Sequence, residues 1–209
     1  MGQQYGGVRD FMGEKSIQKK KFILEKARDV FIEKGYKNVT MKDIVEACDI
    51  SRGGLYLYFE STAQIFLEVL HAEEAKGSDD FMDHIAEDAT AADILLLFLQ
   101  EQKAEIFRKK DNLTVATYEY YFENKPTKKD NILKKRFDSS VRIIEKLVEI
   151  GTENGEFYCE SPAEAALNIM YLLEGMKISA QTIGLTNEAM DRQILYLLTM
   201  LGVGEEEME

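Results

Sequence analysis

Cysteine, proline and histidine occur twice each in 209 residues, and tryptophan does not occur at all. Each scarcity closes off a class of structure or chemistry. With no stretch of eighteen consecutive apolar residues, nothing in the chain is expected to span a membrane. Cys48 and Cys159 form neither a Cys-x-x-Cys pair nor an even-spaced framework, so both read as reduced thiols. His71 and His84 lie thirteen positions apart, whereas chelation from one helix wants i, i+4, so no metal site and no cofactor are expected. The absence of a Gly-x-Ser-x-Gly elbow or any other nucleophile-and-base signature argues against an enzyme. Two prolines and no run of alternating strand residues point to helices throughout. Residues 1–13 are glycine-rich and lack an apolar signal core, which predicts a disordered arm and a cytoplasmic location.

Positive charge is also scarce, since 26 Lys and Arg face 38 Asp and Glu for a net −12. The deficit is uneven. Residues 1–60 hold 11 basic against 9 acidic side chains, a net +2, which leaves −14 for the rest. Such asymmetry suits one end that tolerates phosphate and a body that phosphate repels.

What is present is concentrated in residues 40–59, TMKDIVEACDISRGGLYLYF. Met41, Ile44, Val45 and Cys48 recur at i, i+3, i+4 and i+7, and Thr40 is placed to cap the amides that begin that helix. Asp49 and Ile50 make the turn. Ser51 caps a second helix of barely two turns, Arg52 to Tyr58, with Ile50, Leu55 and Phe59 as anchors. Gly53 and Gly54 each cost roughly 1 kcal/mol of helix propensity relative to alanine, and what they offer in return is close approach of backbone to a ligand surface. Arg52, Tyr56 and Tyr58 supply longer reach: arginine pairs with guanine edges or phosphate, and a tyrosine hydroxyl bonds phosphate oxygen. The opening helix, Ile17 to Lys34, carries Ile23, Leu24, Ala27, Val30 and Phe31 as one stripe against this hairpin and ends at Gly35.

Thr40-Met41-Lys42-Asp43-Ile44-Val45, followed by Ser51-Arg52-Gly53-Gly54-Leu55-Tyr56-Leu57-Tyr58-Phe59, resembles the helix-turn-helix of TetR-type transcriptional regulators. The resemblance implies an all-α homodimer that binds a palindromic double-stranded DNA operator, as a repressor, and is released by a small-molecule effector. Residue by residue, it implies that Thr40, Ser51, Arg52, Gly53, Gly54, Tyr56 and Tyr58 line the DNA. One position departs from the pattern. Many members carry a phosphate-holding lysine where this chain has Thr62, which leaves that contact to a hydroxyl and the helix N-terminus.

The resulting domain expectation is a disordered arm over 1–13, a three-helix DNA-binding domain over 14–60, a larger helical effector-binding and dimerisation domain over 61–204, and an acidic tail over 205–209. Ser61 or Thr62 starts a connector helix that runs towards His84 and Ile85, with a bend near Gly77. The run Ile94 to Leu99 belongs to a helix from Ala91 to Arg108, and Thr127 is expected to cap a long helix ending near Gly151. Phe98, Phe107, Tyr118, Tyr121, Phe122, Met170 and Glu174 are candidates for bordering an effector pocket, with an unpaired Glu174 available to a cation. The helices Ala163 to Ile183 and Glu188 to Leu201 are apolar over too wide an arc for one core face. Either a two-fold partner completes a four-helix bundle with them, or both are central to one large core. The competing function is a helical protein-interaction module without sequence-specific DNA binding.

Overall fold

The computed structural model describes residues 6–83, 86, 88–108, 112–127 and 131–203, and every regular element among them is a helix. In chain order these are α1 (Gly6–Lys34), α2 (Met41–Cys48), α3 (Arg52–Tyr56), α4 (Thr62–Asp83), α5 (Ala91–Phe107), α6 (Thr114–Glu123), α7 (Ile132–Glu153), α8 (Pro162–Gln181) and α9 (Asn187–Met200). The fold is all-α, with a helix-turn-helix near the front and a helical domain behind it.

Two compact units emerge: Met1–Lys76 with Lys110–Lys125, and Gly77–Lys109 with Pro126–Glu209. The first differs from the expected 14–60 domain because α6, assigned in sequence to the effector-binding body, packs against α1. Its core gathers Ile23, Ala27 and Phe31 from α1, Ile44 from α2, Leu55 and Phe59 around α3, and Ile65 and Phe66 from α4. Aromatic rings bring α6 into that core. Phe31 meets Phe66 edge-on at 4.7 Å, and Tyr120 of α6 meets Tyr36 at 5.0 Å and Phe66 at 5.3 Å. Such pairs contribute about 0.5–1.5 kcal/mol each beyond their area burial. The Asn124 amide donates to the Tyr36 hydroxyl at 3.0 Å, and Glu119 accepts from the Lys37 amide at 3.1 Å. Gly35 makes this join possible. Its φ of 72° suits glycine, and a Cβ there would lie 2.6 Å from a Glu119 carboxylate oxygen.

In the second unit α7 and α8 pack closely, with α5 against both and α9 against α5, around Leu95, Leu99, Ile144, Val148, Ile169, Leu173, Met190 and Leu198. The apolar run of α5 is helical because Thr90 and Asp93 form a capping box at its start and its buried residues, Ala91, Leu95, Leu99 and Ile106, keep helical spacing.

Several expected boundaries move. The first helix starts at Gly6 rather than Ile17, because extending a nucleated helix adds a hydrogen bond per residue, which offsets its glycines. Residues 6–13 of the expected disordered arm are therefore helical, and residues 1–5 lie outside the described residues. The connector α4 runs through Gly77 as one helix, while His84, Ile85 and the tail 205–209 fall outside the described residues. Asn131, not Thr127, caps α7, its side chain accepting from the Lys134 amide at 2.9 Å. No helix among the described residues is long and apolar enough to cross a membrane.

Candidate nucleic-acid interface

The geometry of residues 40–62 follows from three successive caps. Thr40 is extended, and its side chain accepts from the Asp43 amide at 3.3 Å while Asp43 accepts from the Thr40 amide at 2.8 Å. Asp43 also takes the Thr40 hydroxyl at 2.5 Å and Lys34 Nζ at 2.6 Å. The lysine contact first, then the two Thr40 bonds, hold the Asp43 carboxyl well below the usual carboxylate range. One carboxylate thus fixes the start of α2 and ties it to the end of α1.

The end of α2 is set by Asp49, in the left-handed region with φ 49° and ψ 51°, a conformation that aspartate tolerates better than bulkier residues. This brings Ser51 round to cap α3, accepting from the Gly54 amide at 3.1 Å. Leu55 and Phe59 are buried on one side and pin α3 down. Ser51, Arg52, Gly53, Tyr56 and Leu57 are exposed on the other, with Gly54 and Tyr58 half-buried. The third cap belongs to Ser61. Its hydroxyl accepts from the Gln64 amide at 3.2 Å, while the Gln64 side-chain oxygen accepts from the Glu60 amide at 2.7 Å. Of the two cap candidates Ser61 therefore starts α4, and Thr62, half-buried in its first turn, is not the cap.

Within this surface the Arg52 guanidinium lies 5.6 Å from the Tyr56 ring centroid, a cation–π distance. No acidic side chain among the described residues forms an ion pair with Arg52, so its charge is available to an outside anion. Nothing among the described residues requires Gly53. A Cβ placed there would meet no atom within 4 Å, whereas one at Gly54 would come within 3.2 Å of the Ser51 hydroxyl that caps the helix. The sequence-derived set Thr40, Ser51, Arg52, Gly53, Gly54, Tyr56, Tyr58 and Thr62 is thus contained in one short helix-turn-helix and the first turn beyond it. Leu57, 83% exposed, escaped the sequence reading. Its signal was its position four residues after Gly53.

The seven effector-pocket candidates do not lie together in one unit. Tyr118, Tyr121 and Phe122 belong to α6 and the first unit, whereas Phe98, Phe107, Met170 and Glu174 belong to the second. Met170 is core. Phe98 and Phe107 are half-buried against that core. Glu174 is not unpaired, because Lys177, one turn on, donates to it at 3.0 Å. A groove of about 530 Å³ lies between the start of α7 and the outer side of α8, lined among others by Phe137, Tyr171 and Glu174. The Phe137 and Tyr171 rings sit 5.1 Å apart. Of the seven candidates only Glu174 lines it.

Comparison with known proteins gives the same reading at the level of sequence. The family described as bacterial regulatory proteins, tetR family, matches residues 23–69, and the tetracyclin repressor-like C-terminal domain matches residues 94–191. The HTH-type transcriptional regulator YfiR of Bacillus subtilis is 33% identical over 141 residues, covering 67% of this chain and 68% of that protein. The HTH-type transcriptional regulator QacR of Staphylococcus aureus is 29% identical over 149 residues, covering 70% of this chain and 77% of its own length. Among solved structures, a TetR transcriptional regulator from Chloroflexus aurantiacus superposes with a TM-score of 0.72 at 23% identity, covering 90% of this chain and 96% of that one. The reduced form of NemR from E. coli gives 0.72 at 15% identity, covering 89% and 99%. With the helix-turn-helix built as above and both halves of the chain matched, this protein belongs to the TetR family and is a DNA-binding transcriptional regulator.

Proposed function

We propose that this regulator is a cytoplasmic repressor that binds a palindromic operator as a homodimer and lets go when a small molecule occupies its helical body. The observation that carries the reading is the exposed, capped face of α3, where a free arginine, Tyr56 and a glycine with open space above it lie together, with half-buried Tyr58 just beyond the helix. In this reading Arg52 contacts a base edge or phosphate, the hydroxyls of Ser51, Tyr56 and Tyr58 bond the phosphate backbone, and Thr40, whose hydroxyl proton goes to Asp43, lines the DNA without that bond. Gly53 and Gly54 let the backbone come close, and Thr62 with the α4 N-terminus takes the place of the lysine common elsewhere in the family.

Support for the dimer comes from α8 and α9. Both bury one face in their own unit yet leave Tyr171, Ile178, Leu195, Tyr196 and Met200 exposed. Gly175 lies on the exposed part of α8, where a Cβ would meet nothing within 4 Å, although a mid-helix glycine costs about 1 kcal/mol relative to alanine. A second copy packing there explains why both the apolar residues and the glycine are tolerated. For the effector, Phe98 and Phe107 of the second unit, half-buried against its core, favour an apolar or aromatic molecule. By linkage, effector and operator each weaken the other, typically by about 1–3 kcal/mol.

The test is retention of the full-length protein on DNA fragments as salt rises. Log affinity should fall linearly with log salt, with a slope of about −0.9 per phosphate neutralised. Tyr58→Phe should weaken binding to all sequences alike, while Arg52→Ala should also blur base preference. Indifference to DNA at low salt would instead favour a helical module that binds a protein partner through the same hairpin.

A further inference from the structure

Just past α3, on its outward side, stands a side chain that neither phosphate chemistry nor hydrogen bonding employs. Leu57 follows α3 directly as its C-cap, with helical dihedrals, and its amide donates to the Gly53 carbonyl at 3.2 Å. Residues four apart lie one above the other on a helix, so Gly53 and Leu57 share a side. Leu57 is 83% exposed, and a Cβ on Gly53 would meet nothing within 4 Å. The buried anchors Leu55 and Phe59 flank Leu57 at i−2 and i+2 and hold it outward.

A single exposed leucine is ordinary on a protein surface. The pairing with Gly53 makes this one informative. Along that side of the recognition segment the only side chain is an isobutyl group, with no donor or acceptor to read the amino, carbonyl or ring-nitrogen pattern of a base pair. The apolar feature that B-DNA offers in its major groove is the C5-methyl group of thymine. Gly53 removes the bulk that would keep that methyl away from the leucine.

We propose that Leu57 is a specificity-determining residue that packs on a thymine methyl in each half-site of the operator, beside the Gly53 backbone. This rests on the DNA-binding reading and adds a chemical identity for one base. Arg52 and the tyrosines anchor the segment through charge and hydroxyl contacts, and Leu57 sorts sequences by whether a methyl fills the space next to Gly53.

The experiment starts from duplexes that the full-length protein selects from a randomised pool. In the selected duplex each thymine is replaced in turn by deoxyuridine, which removes the methyl and leaves the base pair unchanged. Losing one buried methyl should weaken binding about fourfold at one position per half-site, a factor that multiplies when both halves are changed. In Leu57→Ala that dT/dU ratio should fall to about one, while circular dichroism and melting temperature stay those of the parent, because the side chain is exposed. The inference is overturned if no deoxyuridine position weakens binding. It is equally overturned if Leu57→Ala binds more weakly but keeps the parental dT/dU ratio, as a contact to deoxyribose would. Failure of the parent protein to select any duplex, or to show salt-dependent retention, overturns the DNA-binding reading itself, so the two failures are distinguishable.

Discussion

Replacing Gly53 with alanine should move stability and DNA affinity in opposite directions. In the free protein the new methyl meets no atom within 4 Å, and the backbone at this position is helical without a positive φ. Nothing therefore opposes the usual gain of about 0.4–1 kcal/mol from narrowing the unfolded chain's freedom. For a chain of this size a kcal/mol corresponds to about 2–4 °C, so the melting temperature should rise by roughly 1–4 °C. On DNA the same methyl occupies the space through which the backbone approaches the groove. Forcing a methyl into a close contact costs typically about 1–3 kcal/mol, or roughly 5- to 150-fold in affinity. Thermal melts and fluorescence-anisotropy titrations on one preparation measure both effects. The neighbouring Gly54→Ala serves as the comparison, since its methyl would lie 3.2 Å from the Ser51 hydroxyl and disturb the cap, cancelling the gain in stability. If Gly53→Ala binds operator as tightly as the parent, the close-approach argument is wrong, whatever the melts show.

Gly151 offers the opposite case. A Cβ there would fall 2.3 Å from a ring carbon of buried Phe157, so Gly151→Ala should destabilise by about 1–3 kcal/mol before any helix-propensity gain, read as a lowered urea midpoint. An unchanged or raised midpoint would mean that Phe157 can move aside freely. Asp43→Asn tests the tie between α1 and α2. Because the folded-state pKa of Asp43 is depressed, its contribution is present above the ordinary carboxylate value near 4 and is lost as pH falls through the lower folded value. The parent should exceed the variant by about 0.5–1 kcal/mol in urea denaturation at pH 7, the scale of an exposed ion pair, and the gap should shrink below about pH 4. A gap that grows on acidification would refute the assignment.

Much of the recognition segment was legible because its determinants are local. The spacing of Met41, Ile44 and Cys48 and the caps Thr40 and Ser51 act over three to seven positions, and all appear where the pattern put them. The placement of α6 was not legible. Tyr118, Tyr120, Tyr121 and Phe122 advertise an aromatic helix, but whether its rings meet a distant segment depends on contacts such as Tyr36 to Tyr120 across 84 positions, which no local window contains. The start of α7 was misread for a related reason. Thr127 and Asn131 both suit a cap, and only the bond from Asn131 to the Lys134 amide separates them. Leu57 was passed over because hydrophobicity alone does not say which way a side chain points, and that direction is set by the burial of Leu55 and Phe59 on either side.

The insertion of α6 among the rings of Phe31, Tyr36 and Phe66 has a consequence for how such a regulator can be rearranged. A fragment cut after the fourth helix would leave those rings facing water where Tyr120 had covered them, and the Tyr36 hydroxyl without its Asn124 donor. Swapping operator specificity between relatives by one splice after the fourth helix would therefore create a mismatched seam. A working chimera needs two cuts, so that the distant helix travels with the segment it seals.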